Sequence, residues 1–170
     1  MVETFVAPPH SVEAEEAVLG SLLIDPEAIT RVAGFLAVEH FYLVKHRWIY
    51  EAMLRLHERR EPIDLLTVST ELANHNRLEE AGGEPYIAQL TNAVPTALNV
   101  EAYARTVEAL ALRRRMLNAA SEIARLSYDQ SLPIEQVIER ARPPSSASPK
   151  GAATATWCPS ARRSATSSSA

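Results

Sequence analysis

The fold is decided by residues 8 to 29, which run PPHSVEAEEAVLGSLLIDPEAI. Pro8-Pro9 holds the entering chain extended, and Ser11 can accept hydrogen bonds from the free amides of a helix that begins near Val12. Three carboxylates in the first turn oppose the positive end of the helix dipole. They belong to Glu13, Glu15 and Glu16. The segment therefore predicts a capped helix.

The same helix has one apolar face and a clear end. The buried stripe is expected to contain Ala14, Ala17, Val18, Ser21 and Leu22, widened by Leu19 and Leu23. Asp25-Pro26 ends the helix and is expected to cap the next one. The segment thus predicts two successive helices packed on one core.

Helical periodicity continues through the next hundred residues. Apolar residues recur with the i, i+3, i+4, i+7 spacing, and no comparable stretch alternates apolar and polar as a strand would. We therefore predict an all-α chain with a compact helical head at residues 1–98. Thr67 is expected to cap a short helix, Gly82-Gly83 to end that region, and Pro85 to open a further helix.

A long helical hairpin is predicted at residues 99–142. Asn99 is a good cap, and one helix can run from Val100 to about Ser127, or about 40 Å. This helix has two apolar stripes that lie on different faces. The first contains Val100, Tyr103, Val107 and Leu110, and the second contains Leu112, Met116, Ala119, Ile123 and Leu126. A return helix that begins at Ile134 can cover only one face, so the other is left for another subunit or protein.

Residues 143–170 form a low-complexity tail. Of these 28 residues, 22 are Ala, Ser, Thr or Pro, and none is Leu, Ile, Val or Phe. The composition predicts disorder. We also suspect a one-base frameshift, because a shifted frame through Trp157-Cys158 can restore an apolar helical continuation and a Gly-Asp-rich linker. Sequencing the gene tests this.

Four blocks of sequence, in order, resemble the amino-terminal domain of bacterial replicative DNA helicases, the hexameric DnaB family. They are residues 8–29, the segment from His40 to Met53, the segment from Pro62 to Val68, and the segment from Gly82 through Asn99 to Ala104. The resemblance covers residues 8 to 142. His40 departs from it, because an acidic residue is expected before Phe41-Tyr42.

The resemblance implies a non-catalytic interaction and oligomerisation domain of the helicase. It implies self-association into dimers or a trimer-of-dimers ring, docking of the primase C-terminal domain, and in some cases a helicase loader. DNA would be contacted only through the assembled parent hexamer. The residues expected to contact partners are Glu13, Tyr86, Leu117 and Ile123. Leu117 and Ile123 fit the core of the hairpin equally well.

No catalytic or cofactor motif stands out. The phosphate-loop pattern G-x-x-x-x-G-K-[ST] is absent, so ATP and Mg belong to the motor domain that the family places elsewhere. The five histidines lack metal-site spacing and are interpreted as cap and surface residues. Arg113-Arg114-Arg115 is interpreted as a solvated face paired with acids such as Glu108 or Glu122.

Charge and hydropathy limit the class of protein. Residues 1–142 carry a net charge of −7, which argues against strong nucleic-acid binding by this part alone. The longest apolar run is too short to span a bilayer, and the lone Cys158 fits a reducing compartment. We therefore expect a cytoplasmic protein that does not enter membranes.

Two rival functions were weighed. A stand-alone helical DNA-binding regulator would need a recognition helix, and the helix after Thr67 offers only Asn74, His75, Asn76 and Arg77. A helical enzyme would need a nucleophile paired with a base, and none can be identified from the sequence.

Overall fold

The computed structural model describes residues 7–92, 99–129, 131 and 133–141. This part of the chain contains seven α-helices and no strand, which confirms the all-α prediction. The helices are α1 (Val12–Ile24), α2 (Ile29–Val32), α3 (Val44–Glu58), α4 (Leu65–Asn74), α5 (Gly83–Asn92), α6 (Val100–Tyr128) and α7 (Ile134–Ala141). Short 3-10 turns at Pro26–Ala28 and Val38–His40 precede α2 and α3.

The junction at residue 98 and the tail from 143 lie outside the described residues. The division into a head at 1–98, a hairpin at 99–142 and a tail therefore stays a prediction. So does the frameshift.

Helix α1 begins and ends where the sequence predicts. Ser11 has an extended backbone, and its hydroxyl accepts a hydrogen bond from the Ala14 amide at 3.2 Å. The Asp25 amide donates to the Ser21 carbonyl at 2.8 Å and closes the helix. The prediction that Asp25 caps the next helix is wrong, since its carboxylate instead pairs with Arg31 at 3.1 Å.

Two other caps differ from expectation. The N-cap of α4 is Asp64, whose carboxylate accepts from the Thr67 amide at 2.8 Å while the Thr67 hydroxyl accepts from the Asp64 amide at 3.0 Å. Thr67 is thus the third helical residue of a capping box, because the helix starts earlier than its apolar residues indicate. Asn99 precedes α6, but its side chain makes no capping bond.

The core of the head lies where α1 packs against α5 and α6, and where α3 packs against α4. Val18, Leu19 and Leu22 of α1 are fully buried. The first turns of α6 enter the same core through Val100, Ala104 and Val107. Between Ala111 and Leu126 no residue of α6 is buried, so its second half extends away from the head.

The loop before α5 depends on two glycines with positive φ. Gly82 has φ 100° and Gly83 has φ 73°, angles that disfavour residues with a Cβ. A Cβ at Gly82 would also lie 2.8 Å from the Tyr86 Cβ. Gly82 therefore permits Tyr86 to sit against the loop.

Candidate interaction surface

The helical hairpin leaves several large apolar side chains exposed. Leu112, Met116 and Ile123 of α6 lie within about 40° of one another around the helix axis. They are 55%, 64% and 43% exposed. The return helix α7 packs on α6 but leaves these three side chains exposed. Leu126 and Val137 are buried in the hairpin, whereas Ile134 and Ile138 remain exposed. We call Leu112, Met116, Ile123, Ile134 and Ile138 the exposed hairpin side chains.

Leu117 and Ile123 lie on different sides of α6. Six residues of helix separate them, which turns their side chains about 120° apart. Leu117 is 53% exposed and lines a cleft of about 820 Å³ between α6 and the head. Ile123 is not part of that cleft. The two residues therefore serve two surfaces and do not form one patch.

Glu13 is exposed in the first turn of α1. The Ser11 hydroxyl donates to its carboxylate at 3.1 Å. Hydrogen bonds from its own backbone amide and from Ser11 lower the pKa of Glu13, so it carries a fixed negative charge at the surface. Among the described contacts, no hydrogen bond or ring contact joins Glu13, Tyr86, Leu117 and Ile123 to one another.

Tyr86 is held by a polar network under the surface of the head. Its hydroxyl lies 2.7 Å from His46 Nε2 and 3.0 Å from the Glu16 carboxylate. On the other side of the imidazole, His46 Nδ1 lies 2.7 Å from the Glu15 carboxylate. Lys45 Nζ sits 3.5 Å above the centre of the Tyr86 ring, a cation–π contact.

The hydrogen bonds of this network join three helices. The Tyr86 hydroxyl of α5 donates to the Glu16 carboxylate of α1, and the His46 ring of α3 lies between the Tyr86 hydroxyl and the Glu15 carboxylate of α1. Burial, and next the hydrogen bond to Glu16, raise the pKa of the Tyr86 phenol, so it remains a neutral donor.

Two residues of this network were misinterpreted from the sequence. Glu15 was placed with the dipole-complementing carboxylates, yet it is 2% exposed and also accepts hydrogen bonds from the Tyr42 and Leu43 amides. His46 was taken as a cap or surface histidine, but it is fully buried. One pattern pointed to Glu15, since it shares the i, i+3, i+4, i+7 spacing with Val18, Leu19 and Leu22.

His40 fulfils a capping role in the 3-10 turn before α3, despite departing from the expected acidic residue. Its Nδ1 accepts a hydrogen bond from the Ala37 amide at 3.1 Å. A neutral imidazole nitrogen thus replaces a carboxylate oxygen as the acceptor.

The arginine run in α6 is not a uniform solvated face. Arg114 is half-buried and donates to the Pro9 carbonyl at 2.7 Å and to the His40 carbonyl at 2.5 Å. The acids expected to pair with the run bind other partners, Glu108 with Arg105 at 3.0 Å and Glu122 with Arg125 at 2.6 Å. Arg114 instead fastens the segment before α1 to the long helix.

The part of the chain that the structure describes offers little support for a DNA-recognition helix, a metal site or a membrane-spanning helix. The end of α4 is a poor recognition element, since Arg77 is engaged by Glu51 at 2.8 Å and lies over the Trp48 ring. No group of three or more His, Cys, Asp or Glu residues could hold a metal ion among the described side chains. None of the described helices has the length and apolar character needed to cross a bilayer.

Comparison with known proteins places this helical arrangement in a family. The family described as DnaB-like helicase N terminal domain matches residues 7–109. The replicative DNA helicase DnaB of Geobacillus stearothermophilus is 46% identical over 134 residues, covering 79% of this chain and 30% of that protein. The replicative DNA helicase DnaC of Bacillus subtilis is 43% identical over 134 residues, with the same two coverages.

Solved structures give the same result. The N-terminal domain of DnaB helicase from Mycobacterium tuberculosis superimposes with a TM-score of 0.75 and 37% identity, covering 79% of this chain and 95% of that one. A DnaB-like replicative helicase, described together with its interactions with primase, superimposes with a TM-score of 0.63 and 27% sequence identity. The match covers 76% of this chain and 30% of that one. The chain thus spans less than a third of the full-length relatives that it matches, and it belongs to the DnaB-like helicase N-terminal domain family.

Proposed function

We propose that this chain is the non-catalytic N-terminal interaction domain of a cytoplasmic replicative DNA helicase. Its role is to build the collar of the helicase hexamer and to dock primase during DNA replication. The observation that carries the proposal is the set of exposed hairpin side chains on a member of this family. Large apolar residues clustered on a protruding element are typical of protein interfaces.

Self-association is the first part of the proposal. Leu112, Met116 and Ile123 share one side of a helix that protrudes from the head, so two copies can pack these helices side by side. Pairing through a shared face gives a two-fold dimer, and further contacts between dimers would close a trimer-of-dimers ring. DNA is then contacted through the assembled parent hexamer.

Partner docking is the second part. The related helicase whose structure is described with primase supports the primase C-terminal domain as a partner, and a helicase loader is a further candidate. Glu13, Tyr86, Leu117 and Ile123 are the proposed contact residues. ATP and Mg would be bound by a motor domain of the parent protein and not by these residues.

Sedimentation equilibrium of the chain tests self-association. Ile123→Asp places a carboxylate in the proposed dimer interface, where an unpaired buried charge is strongly unfavourable. The variant should dissociate at concentrations where the wild type is dimeric or larger. Ser121→Asp is the matched control, because it adds the same charge at an exposed position of the same helix. Equal association of all three proteins would refute the self-association proposal.

A further inference from the structure

A cleft separates the second half of α6 from the head and differs in character from the rest of the hairpin. Its volume is about 820 Å³, within the range of cavities that enclose a ligand. One wall is made by Pro8, His40 and Tyr42 of the head, and the other by Arg114, Arg115 and Leu117 of α6. The cleft is thus concave, and none of the exposed hairpin side chains lines it.

The residues that line the cleft carry more positive than negative charge. Arg47, Arg114 and Arg115 line it, and Glu39 is the one carboxylate among its lining residues. Arg47 donates to the Phe41 carbonyl at 2.7 Å, and Arg114 donates only to carbonyls. None of the ion pairs formed by the described side chains includes these three arginines.

Arg114 would gain from an anionic neighbour. Burial lowers the pKa of its guanidinium; the nearby Glu15 carboxylate opposes this shift and the positive charge of Arg47 adds to it. The guanidinium has five N–H groups, more than its two carbonyl partners use, so a carboxylate entering the cleft would accept from the others in hydrogen bonds between two charged groups. Leu117 supplies the apolar surface that a peptide side chain needs for burial.

We propose that this cleft binds an acidic segment of a partner protein, with one large apolar side chain packed on Leu117 and flanking carboxylates on Arg114 and Arg115. A concave site between two walls fits a single peptide segment better than the flank of a second hairpin. The inference rests on the proposed function, because Leu117 belongs to both. It adds the chemical class of the partner and separates its site from the face that carries Ile123.

Selection from a random peptide phage library on the full chain supplies the probe. The selected peptide is then labelled with fluorescein, and its affinity for each variant is measured by anisotropy. Acidic residues should flank a large apolar residue in the enriched peptides. Arg115→Glu and Leu117→Asp should each weaken binding by about tenfold or more, since they reverse the charge or remove the apolar contact.

Two control variants make the test specific. Arg113→Glu carries the same charge reversal at an exposed residue that does not line the cleft, and Met116→Asp alters the proposed dimer face. Both should bind the peptide like the wild type. If Met116→Asp abolishes self-association while peptide binding persists, the two surfaces are separate, as proposed. If the selection enriches no peptide while Met116→Asp still changes sedimentation, the inference is overturned and the proposed function stands.

Other outcomes also contradict the inference. Enriched peptides without acidic residues, or equal peptide binding by Arg115→Glu and Arg113→Glu, would remove its chemical basis. Binding of fluorescein-labelled oligothymidine that Arg115→Glu abolishes would make the cleft a nucleic-acid site. A loss of self-association in Arg115→Glu would make it an interface between copies of this chain.

Discussion

Glu15 organises the interior of the head, because one buried carboxylate holds the His46 ring and two backbone amides. Its oxygens accept from His46 Nδ1 and from the Tyr42 and Leu43 amides. These amides lie just before α3, so the carboxylate joins α1 to the start of α3. Through His46 the same contact positions the Tyr86 hydroxyl, one of the proposed partner residues.

Glu15→Ala should therefore be strongly destabilising. Removing the carboxylate leaves a buried imidazole and two amides without their acceptor, and breaking a buried pair in this way costs about 3–5 kcal/mol. Urea denaturation followed by circular dichroism measures the change in free energy of unfolding. Glu13→Ala, two residues earlier and exposed, should lower the unfolding midpoint far less. Equal midpoints for the two variants would show that the network contributes little.

For individual residues, the sequence predicts contacts within one helix but not contacts between distant parts of the chain. The Ser11 cap and the burial of Val18 and Leu22 follow from spacing along one helix. The Glu15–His46 contact spans 31 residues, and nothing local distinguishes Glu15 from the exposed Glu13 except its place on the apolar face. Arg114 was misassigned for the same reason, since its acceptors lie on Pro9 and His40.

Helices α3 and α4 are joined by an ion pair that is sensitive to acid. Arg59 Nη2 lies 2.7 Å from the buried carboxylate of Glu71. This hydrogen bond lowers the pKa of Glu71 below its ordinary value, which stabilises the ionised form in the folded state. Because the folded pKa lies below the unfolded one, this contribution is complete above the unfolded pKa and is lost as the pH falls through the folded pKa.

Glu71→Gln should consequently lower the free energy of unfolding at neutral pH and flatten its decline in acid. The difference from the wild type should shrink as the pH falls below the ordinary glutamate pKa of 4.5 and through the lower pKa of the folded state, because the wild-type carboxyl becomes protonated there. Urea denaturation at a series of pH values measures this. Glu61→Gln is the control, since the Glu61–Arg59 pair is exposed and screened by solvent. A constant difference across the pH range would argue against the titration of Glu71 as the cause.

The hairpin is held by few buried side chains, so it should open locally. Leu126 is 3% exposed and Val137 is 8% exposed, while their apolar neighbours in the hairpin remain exposed. Leu126→Ala removes most of the buried contact of α6 with α7, and the amides of α7 should then exchange hydrogen faster while α1 is unaffected. Leu112→Ala, at an exposed site, should leave α7 exchange unchanged. Unaltered α7 exchange in Leu126→Ala would mean that other contacts hold the helix.

Hydrophobic periodicity and helix-breaking residues predict the bounds of the long helix α6 well. The sequence placed the long helix at Val100 to about Ser127, and it runs Val100–Tyr128. The start of α4 differs from the prediction because Leu65 and Leu66 are exposed and lie outside the buried stripe of Val68 and Leu72. Which side of α6 enters the head could not be predicted from two weak stripes, since that choice depends on packing against α1.

The whole molecule is a helical head from which half of a 29-residue helix extends. No part of the chain that the structure describes covers the exposed hairpin side chains, so association with another surface would bury them. The family resemblance rests on the residues of four blocks of sequence, whereas the caps and apolar faces of these blocks alone predict only amphipathic helices. The sequence suggested Leu117 and Ile123 as contact residues. The structure adds that Leu117 lines the cleft beside the head and that Ile123 does not.

Isothermal titration calorimetry with the primase C-terminal domain tests the central claim most directly. The wild-type chain should bind the primase domain, and Leu117→Asp and Ile123→Asp should each weaken binding while circular dichroism shows a folded head. Ser121→Asp should bind like the wild type. Absence of binding by the wild type, or unchanged affinity in both Leu117→Asp and Ile123→Asp, would contradict the claim that this hairpin is the primase-docking surface.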